Sequence, residues 1–327
     1  MRVLLFLFGM LISSMVTSQV TFPENDVADK RDGTYAFTNA TLHVSYNKVI
    51  ENGTLVIKEG KVVSAGSGVK IPAEAVVVDL EGKSIYPAFI DLYASYGLPE
   101  VEATSREWGR NPQYLTDKEG PYAWNEALKS EFDAVSVFQP NQKDAKTWKE
   151  AGFGAVLSHR QDGISRGSAT LVLTGEGRAH TNIIKEKSGH FLSFSKGTSS
   201  QAYPSSLMGY IALIRQTYLD GKWYAETGKK EEKNLSLEAW NNLQSLPQFF
   251  DINDKLDIFR IQKIGKEFGV QYIAKGNGDE YQRVEDVKKT GIPLILPLNF
   301  PEPYDVEKPY DADLINLTDM KHWEMAP

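Results

Sequence analysis

The side chains that could bind a metal or move a proton are few and scattered. The 327-residue chain has five histidines, His43, His159, His180, His190 and His322, and none pairs with another at ligand spacing. It has no cysteine, which excludes disulfides, thiolate metal sites and a cysteine nucleophile. No G-x-S-x-G segment is present to carry a hydrolase serine. Gly152-x-Gly154 and Gly175-x-Gly177 lack the third glycine of a dinucleotide loop. His159 follows a strand-like run and precedes the glycine-rich stretch Asp162 to Ser168. Trp108, Tyr114, Tyr122 and Trp124 form an aromatic cluster in the polar loop 99–125, able to stack on a sugar or flat substrate, or to pack as loop residues.

The elements that must position these residues change texture along the chain. Ala36 to Val44, Thr54 to Lys58, Lys61 to Ala65 and Ala75 to Leu80 are short runs rich in β-branched residues. Asn52-Gly53, Glu59-Gly60 and Glu81-Gly82 separate them as hairpin turns, which predicts a small antiparallel unit. From Ile85 onward strands and helices alternate. Buried strands are expected at Ser84–Asp91, Gly154–Ser158, Ala169–Leu173, Gln248–Ile252, Gln271–Ala274 and Ile292–Leu296. Helices are expected at Tyr122–Lys129, Lys143–Glu150, Ser205–Glu226, Ser236–Gln244, Asp254–Phe268, Glu280–Lys289 and Ala312–Trp323. In the Asp254–Phe268 helix Asn253 is the expected N-cap, Ile258, Ile261, Ile264 and Phe268 make one apolar stripe, and Gly269 is the stop. Alternation with short loops argues for a parallel sheet covered by helices.

Composition sets the compartment and the excluded partners. With 36 basic and 43 acidic residues the formal charge is −7, which argues against a nucleic-acid surface. Hydrophobic content of 41% fits a folded chain rather than a disordered one. Residues 1–18 read as a signal peptide: Arg2, an apolar run from Val3 to Ile12, and small residues in Val16-Thr17-Ser18. That run is shorter than a membrane span, and no later stretch is longer, so an exported protein, periplasmic or secreted, is expected. Residues 19–33 are a polar linker.

The most informative segment is Gly82-Lys83-Ser84-Ile85-Tyr86-Pro87-Ala88-Phe89-Ile90-Asp91-Leu92-Tyr93-Ala94-Ser95. It resembles the amidohydrolase superfamily, imidazolonepropionase-like branch, whose segment reads G-K-x-[IV]-x-P-G-[FL]-[IV]-D-x-H-x-H. Leu55 to Gly66 is similar to that family's opening hairpin, and Ala151 to Val156 to its second barrel strand. The resemblance implies an α/β fold: an amidohydrolase-like TIM barrel over 85–327, with a β-sandwich portion over 34–84. With about six strand candidates where a barrel has eight, the barrel is expected to be partial. The chain then reads as the N-terminal part of a longer secreted form, and the remainder of its own polypeptide becomes a partner.

The family holds a divalent metal, typically zinc, on histidines that share one strand face, to hydrolyse carbon–nitrogen non-peptide bonds. Here those two positions are Tyr93 and Ser95, poor zinc ligands at neutral pH. The later ligand strands end near Asp251, Asn253, Lys275 and Asn277, none of them histidine. No metal or other cofactor and no catalytic residue is therefore expected in this chain. Tyr93 is expected to fill the vacated pocket, Asp91 to be a buried hydrogen-bonding residue orienting the strand end, and Asp251 or Asn253, Asn277 and His159 to stand at the same barrel mouth. The reading is a non-catalytic scaffold or binding half with an unspecified small-molecule substrate. The alternatives are an active metal hydrolase with substitute ligands, or a glycan- or peptide-binding module using the aromatic loop.

Overall fold

The computed structural model describes residues 33–102, 111–298, 307–308 and 310–325. Residues 1–18, expected to be a signal peptide, residues 19–32 of the expected linker, and Trp108 lie outside the described residues. The chain divides at Pro87 into two compact units, 1–87 and 88–327.

The first unit is one five-stranded sheet, not two layers among the described residues. Its strands are β1 (Thr34–Ser45), β2 (Lys48–Lys58), β3 (Lys61–Gly66), β4 (Val76–Asp79) and β5 (Ser84–Ile85). Glu59 and Gly60 both have positive φ, 51° and 71°, as the β2–β3 hairpin turn requires. Asn52-Gly53 is not a turn, because β2 runs straight through it. Nor is the unit wholly antiparallel: β4 and β5 both run parallel to β1, and Glu81-Gly82 links them in line along that strand. The expected strand Ser84–Asp91 is two strands: Ser84–Ile85 pairs with Thr41 and Leu42, and a new strand begins at Phe89. Pro87, which lacks an N–H for a sheet ladder, falls in the break.

The second unit holds a seven-stranded sheet in sequential order. Its strands are β6 (Phe89–Ala94), β7 (Phe153–Ser158), β8 (Ser165–Leu173), β9 (Ile183–Ser193), β10 (Gln248–Asp251), β11 (Tyr272–Lys275) and β12 (Leu294–Ile295). All are mutually parallel except β8, which is antiparallel to both β7 and β9. The sheet is therefore mixed where a parallel one was expected, and it does not close: β6 and β12 are both edges among the described strands.

Side-chain alternation divides this sheet into two faces. On one face Leu192, Phe250, Tyr272 and Ala274 join a core with Leu213, Ile214, Trp240, Ile258, Ile261 and Ile264 from the helices Leu207–Glu226, Leu235–Leu243 and Asp257–Phe268. On the other face Leu157, Ala169, Phe191 and Phe249 cluster with Tyr93 and Ile273. Gly269 ends its helix with φ +70°, as expected, but Asn253 does not cap the start. The helix begins at Asp257, whose carboxylate accepts from the Asn253 amide at 3.1 Å. Tyr122–Lys129 is not a helix. Asn125 Oδ1 takes the Ala127 amide at 3.0 Å, and Leu128 bridges to Ser165, so the segment lies along β8 instead.

That docking needs Gly167. Its φ is +76°, and a Cβ there would stand 2.1 Å from the Phe132 carbonyl oxygen. Gly167→Ala is expected to cost upward of about 1–3 kcal/mol, from a left-handed non-glycine residue plus the clash. Urea unfolding followed by circular dichroism measures it, and an unchanged midpoint would refute this account of the docking.

Candidate functional site

Residues on the Tyr93 face converge where the parallel strands end. Tyr93 comes from β6, His159 from the residue after β7, Asp251 from the end of β10 and Lys275 from the end of β11. Register aligns Asp251 with both Ser193 and Lys275, which puts the last two strand ends level. β8, running the other way, brings Arg166 in from its start.

Asp251 is the centre of this cluster. Its Oδ2 accepts from the Tyr93 hydroxyl at 2.6 Å and lies 3.0 Å from Arg166 Nη2, while Oδ1 lies 3.5 Å from Lys275 Nζ. Arg166 Nη1 also donates to the Tyr93 oxygen at 3.2 Å, and its Nε to the Gly163 carbonyl. Lys275 Nζ sits 4.6 Å above the Tyr93 ring. Two cations around one carboxylate leave a local excess of +1. Burial pushes the Tyr93 hydroxyl up to about 12, so it stays a neutral donor to Asp251.

His159 completes the cluster as an aromatic rather than a base. Its ring lies 3.5 Å from the Phe191 ring centroid, nearly parallel, and meets the Tyr93 ring at 4.8 Å, edge on. It is fully buried with neither ring nitrogen hydrogen-bonded among the described residues. Burial, reinforced by the charge on Arg166, holds it well below the usual imidazole value and therefore neutral.

Tyr93, His159 and Asp251 thus come together at one strand end, and Arg166 and Lys275 join them. Asp91 sits beside the group, its Oδ1 taking the Tyr93 amide at 2.7 Å, with burial pushing its carboxyl upward. Asn277 and Asn253 are exposed and bond each other at 2.7 Å, side-chain amide to carbonyl. Ser95 lies beyond the end of β6, exposed, on the wall of a separate cleft of about 1270 Å³. Arg166 carried no distinguishing signal in the sequence. Its role follows from the reversal of β8, which no local pattern announces. Lys275 resembled an ordinary surface lysine.

Could a divalent metal sit here? Among the described residues no three of His, Cys, Asp or Glu converge. The one carboxylate at the centre already faces an ammonium and a guanidinium, so a third cation would be repelled by both. These residues do not fit the metal.

Away from this cluster, His190 on β9 belongs to a second, wholly buried chain of hydrogen bonds. Gln248 spends both amide protons on the Leu243 and Leu246 carbonyls, so its Oε1 must accept from His190 Nδ1 at 2.9 Å. His190 Nε2 then accepts from the Ser165 hydroxyl at 2.9 Å, and Ser165 accepts from Ser130 at 2.7 Å. Of the aromatic residues, Trp124 stacks on Tyr203 at 6.1 Å, and Tyr122 lies under the Lys118 ammonium at 3.7 Å.

A largely parallel sheet in sequential order, helices on one face and a polar cluster at the strand ends define the chain as a TIM-barrel-like α/β protein. No family profile matches it. The chain is similar to the imidazolonepropionase of Staphylococcus aureus strain Newman, 23% identical over 187 residues, which cover 55% of this chain and 45% of that protein. The match to the strain COL protein has the same figures. The chain spans about half the length of these relatives. In fold it is similar to an amidohydrolase from Thermotoga maritima MSB8, with a TM-score of 0.64 and 21% identity over 84% of this chain and 72% of that one. The chain is related to the amidohydrolase superfamily.

Two measurements probe these two polar systems, one for each. Arg166 and Asp251 are both nearly buried, 6% and 11% exposed in their side chains, so removing one strands the other. Asp251→Ala and Arg166→Met are each expected to lose about 3–5 kcal/mol in denaturant unfolding. Lys275→Met, at a partly exposed partner, should lose about 1 kcal/mol or less. Equal losses at all three positions would contradict the buried pair.

The second concerns pH. Complete burial pushes His190 down to about 4 from 6.5. The unfolded chain therefore takes the proton first as pH falls, and stability present above about 6.5 drains away toward 4. The shift corresponds to about 3 kcal/mol at most. Unfolding free energies at pH 7.5, 6, 5 and 4 (roughly spanning the His range) should show this loss. His190→Asn should make the profile shallower, leaving the share that buried His159 contributes, and an unchanged slope in that variant would contradict the assignment.

Proposed function

We propose that residues 1–327 are the exported, non-catalytic half of an amidohydrolase-like polypeptide. They would serve as a scaffold or binding half, while hydrolysis of carbon–nitrogen bonds resides in the remainder. The observation that carries this reading is the double neutralisation of Asp251 by Arg166 and Lys275. An internal guanidinium and ammonium stand where a metal-dependent hydrolase would need ligands without positive charge. Tyr93 does not add a free ligand, because its hydroxyl is already engaged, donating to Asp251 and accepting from Arg166.

The edges support the partner half of the proposal. β6 and β12 each have one sheet neighbour among the described strands, and Phe89, Ile90, Leu296 and Leu298 beside them are exposed. Apolar edges of this kind are what further strands of the same barrel would cover. A second reading, capture of a glycan or peptide, draws on the exposed Trp124–Tyr203 stack, whose rings are 13° from parallel.

Elemental analysis of the purified, dialysed protein tests the central claim. Zinc, manganese and nickel are each expected well below one equivalent, with no hydrolysis of amide or cyclic-imide substrates. Stoichiometric metal that survives dialysis would overturn the reading in favour of substitute ligands. For the second reading, loss of glycan-array signal in Trp124→Ala is the expected result.

A further inference from the structure

The helix Leu207–Glu226 is apolar on two sides and covered on one. Its inner side sends Leu213, Ile214, Tyr218 and Tyr224 into buried positions. Its outer side carries Met208, Ala212, Leu219 and Trp223, whose steps of four, seven and four return to one face of an α-helix. Met208 is 81% exposed, Leu219 54% and Trp223 46%, and Ala212 is exposed between them. Neighbouring helices turn charge outward instead: Lys146 and Glu150 on Gln142–Glu150, Lys263 and Lys266 on Asp257–Phe268. A helix that is apolar all round is ordinarily buried all round, so the outer stripe calls for a cover.

The stripe is held in place as well as exposed. The Trp223 ring lies against the turn that follows the helix, where a Cβ on Gly228 would stand 2.6 Å from it. At the other end the Tyr203 hydroxyl donates to the Gly209 carbonyl at 3.1 Å, and its ring stacks on Trp124. Exposed aromatic surface therefore continues past Met208. A surface already ordered loses little side-chain freedom when it is covered.

The order of the residues names the cover. Met208 and Trp223 stand equally far from the midpoint between Arg215 and Gln216, and so do Ala212 and Leu219. A two-fold axis through that midpoint, relating two antiparallel copies of the helix, sets Met208 against Trp223 of the second copy and Ala212 against Leu219. Thioether on indole and small against large are both favourable fits, and each occurs twice, as an isologous interface requires. A parallel pair would oppose Ala212 to Ala212 and leave a gap. Charge fits as well. Arg215 holds Glu267 through Nε at 2.8 Å and Nη2 at 2.6 Å. The axis passes beside Arg215, so each guanidinium gains a second carboxylate across it. Covering the stripe with its flanking aromatics removes on the order of 1,000 Å² over two copies, the lower limit of a specific interface.

We propose that this protein forms a two-fold dimer in which the helices Leu207–Glu226 of two copies pack antiparallel through Met208, Ala212, Leu219 and Trp223. The interface uses neither the Tyr93–Asp251 cluster nor the β6 and β12 edges, and it does not rest on the metal-free reading above.

Sedimentation equilibrium of the purified protein tests it, and a monomer–dimer equilibrium in the micromolar range is expected. Leu219→Lys and Met208→Lys, both at exposed positions, should each raise the dissociation constant about tenfold or more with an unchanged circular dichroism spectrum. Either one suffices if the other fails to fold. Glu267→Gln should also weaken the dimer, because two guanidinium groups then face each other at the axis. The chain has no cysteine, so a short bis-maleimide can report the register. Gln216→Cys should cross-link to itself, whereas Met208→Cys should link to Trp223→Cys and not to itself. A protein that stays monomeric, a dimer indifferent to both lysine substitutions, or self-linking of Met208→Cys would overturn the proposal. So would a monomer that co-sediments with phosphatidylglycerol vesicles through the same residues, which would make the stripe a membrane-facing one.

Discussion

The arrangement of the strand ends depends on one ionic constraint: a nearly buried carboxylate, Asp251, between two cations. A lone ionised group in that position would be costly to keep out of water, and so would either cation without it. Their mutual attraction ties the end of β10 to the end of β11 through Lys275 and to the start of β8 through Arg166. The Tyr93 hydroxyl then links β6 to the same carboxylate. Four strands are thus fixed to one another at their tips by a single side chain.

This constraint gives meaning to the reversal of β8. A sheet built only from parallel strands would put every strand's C-terminal residue at this end. The antiparallel strand contributes its first residues instead, and Arg166 is one of them. Gly163 and Gly167, both at positive φ, flank it and let the preceding loop lie close against the strand. The sequence 127–133 follows that groove, with bridges from Leu128 to Ser165 and from Asp133 to Ser168. So one reversed strand supplies the guanidinium and docks the segment that runs beside it.

Two polar systems occupy opposite faces of the same sheet and use opposite solutions. On the helix-covered face, the Ser130–Ser165–His190–Gln248 chain satisfies every donor without any charge. On the other face, charge pairs do the work, and His159 is left as a neutral ring stacked among aromatics. The difference follows from water. The helix-side chain is sealed, so only neutral groups are tolerable there. The strand ends keep partial access through Lys275, where an ammonium can remain hydrated.

Much of the architecture was legible in the residues alone. The strands around Val156, Phe249 and Ile273, the helix ending at Gly269 and the hairpin turn at Glu59-Gly60 all follow from local pattern, because apolar period and turn stereochemistry act over a few residues. The family resemblance marked Tyr93 and Ser95 as altered positions and pointed to Asp251 or Asn253, Asn277 and His159 as their neighbours, of which Asn253 and Asn277 lie exposed and bond each other instead. The structure joins Tyr93, Asp251 and His159 but leaves Ser95 outside, since the strand ends at Ala94. What the residues could not disclose was β9, whose Lys185-Glu186-Lys187 interrupts the apolar run, or the direction of β8. Nor could they single out Arg166 and Lys275 among 36 basic residues. Charge type is written in the sequence, but which charges meet is decided by strand direction and register. Those depend on pairings between residues far apart in the chain, and only the tertiary structure sets them.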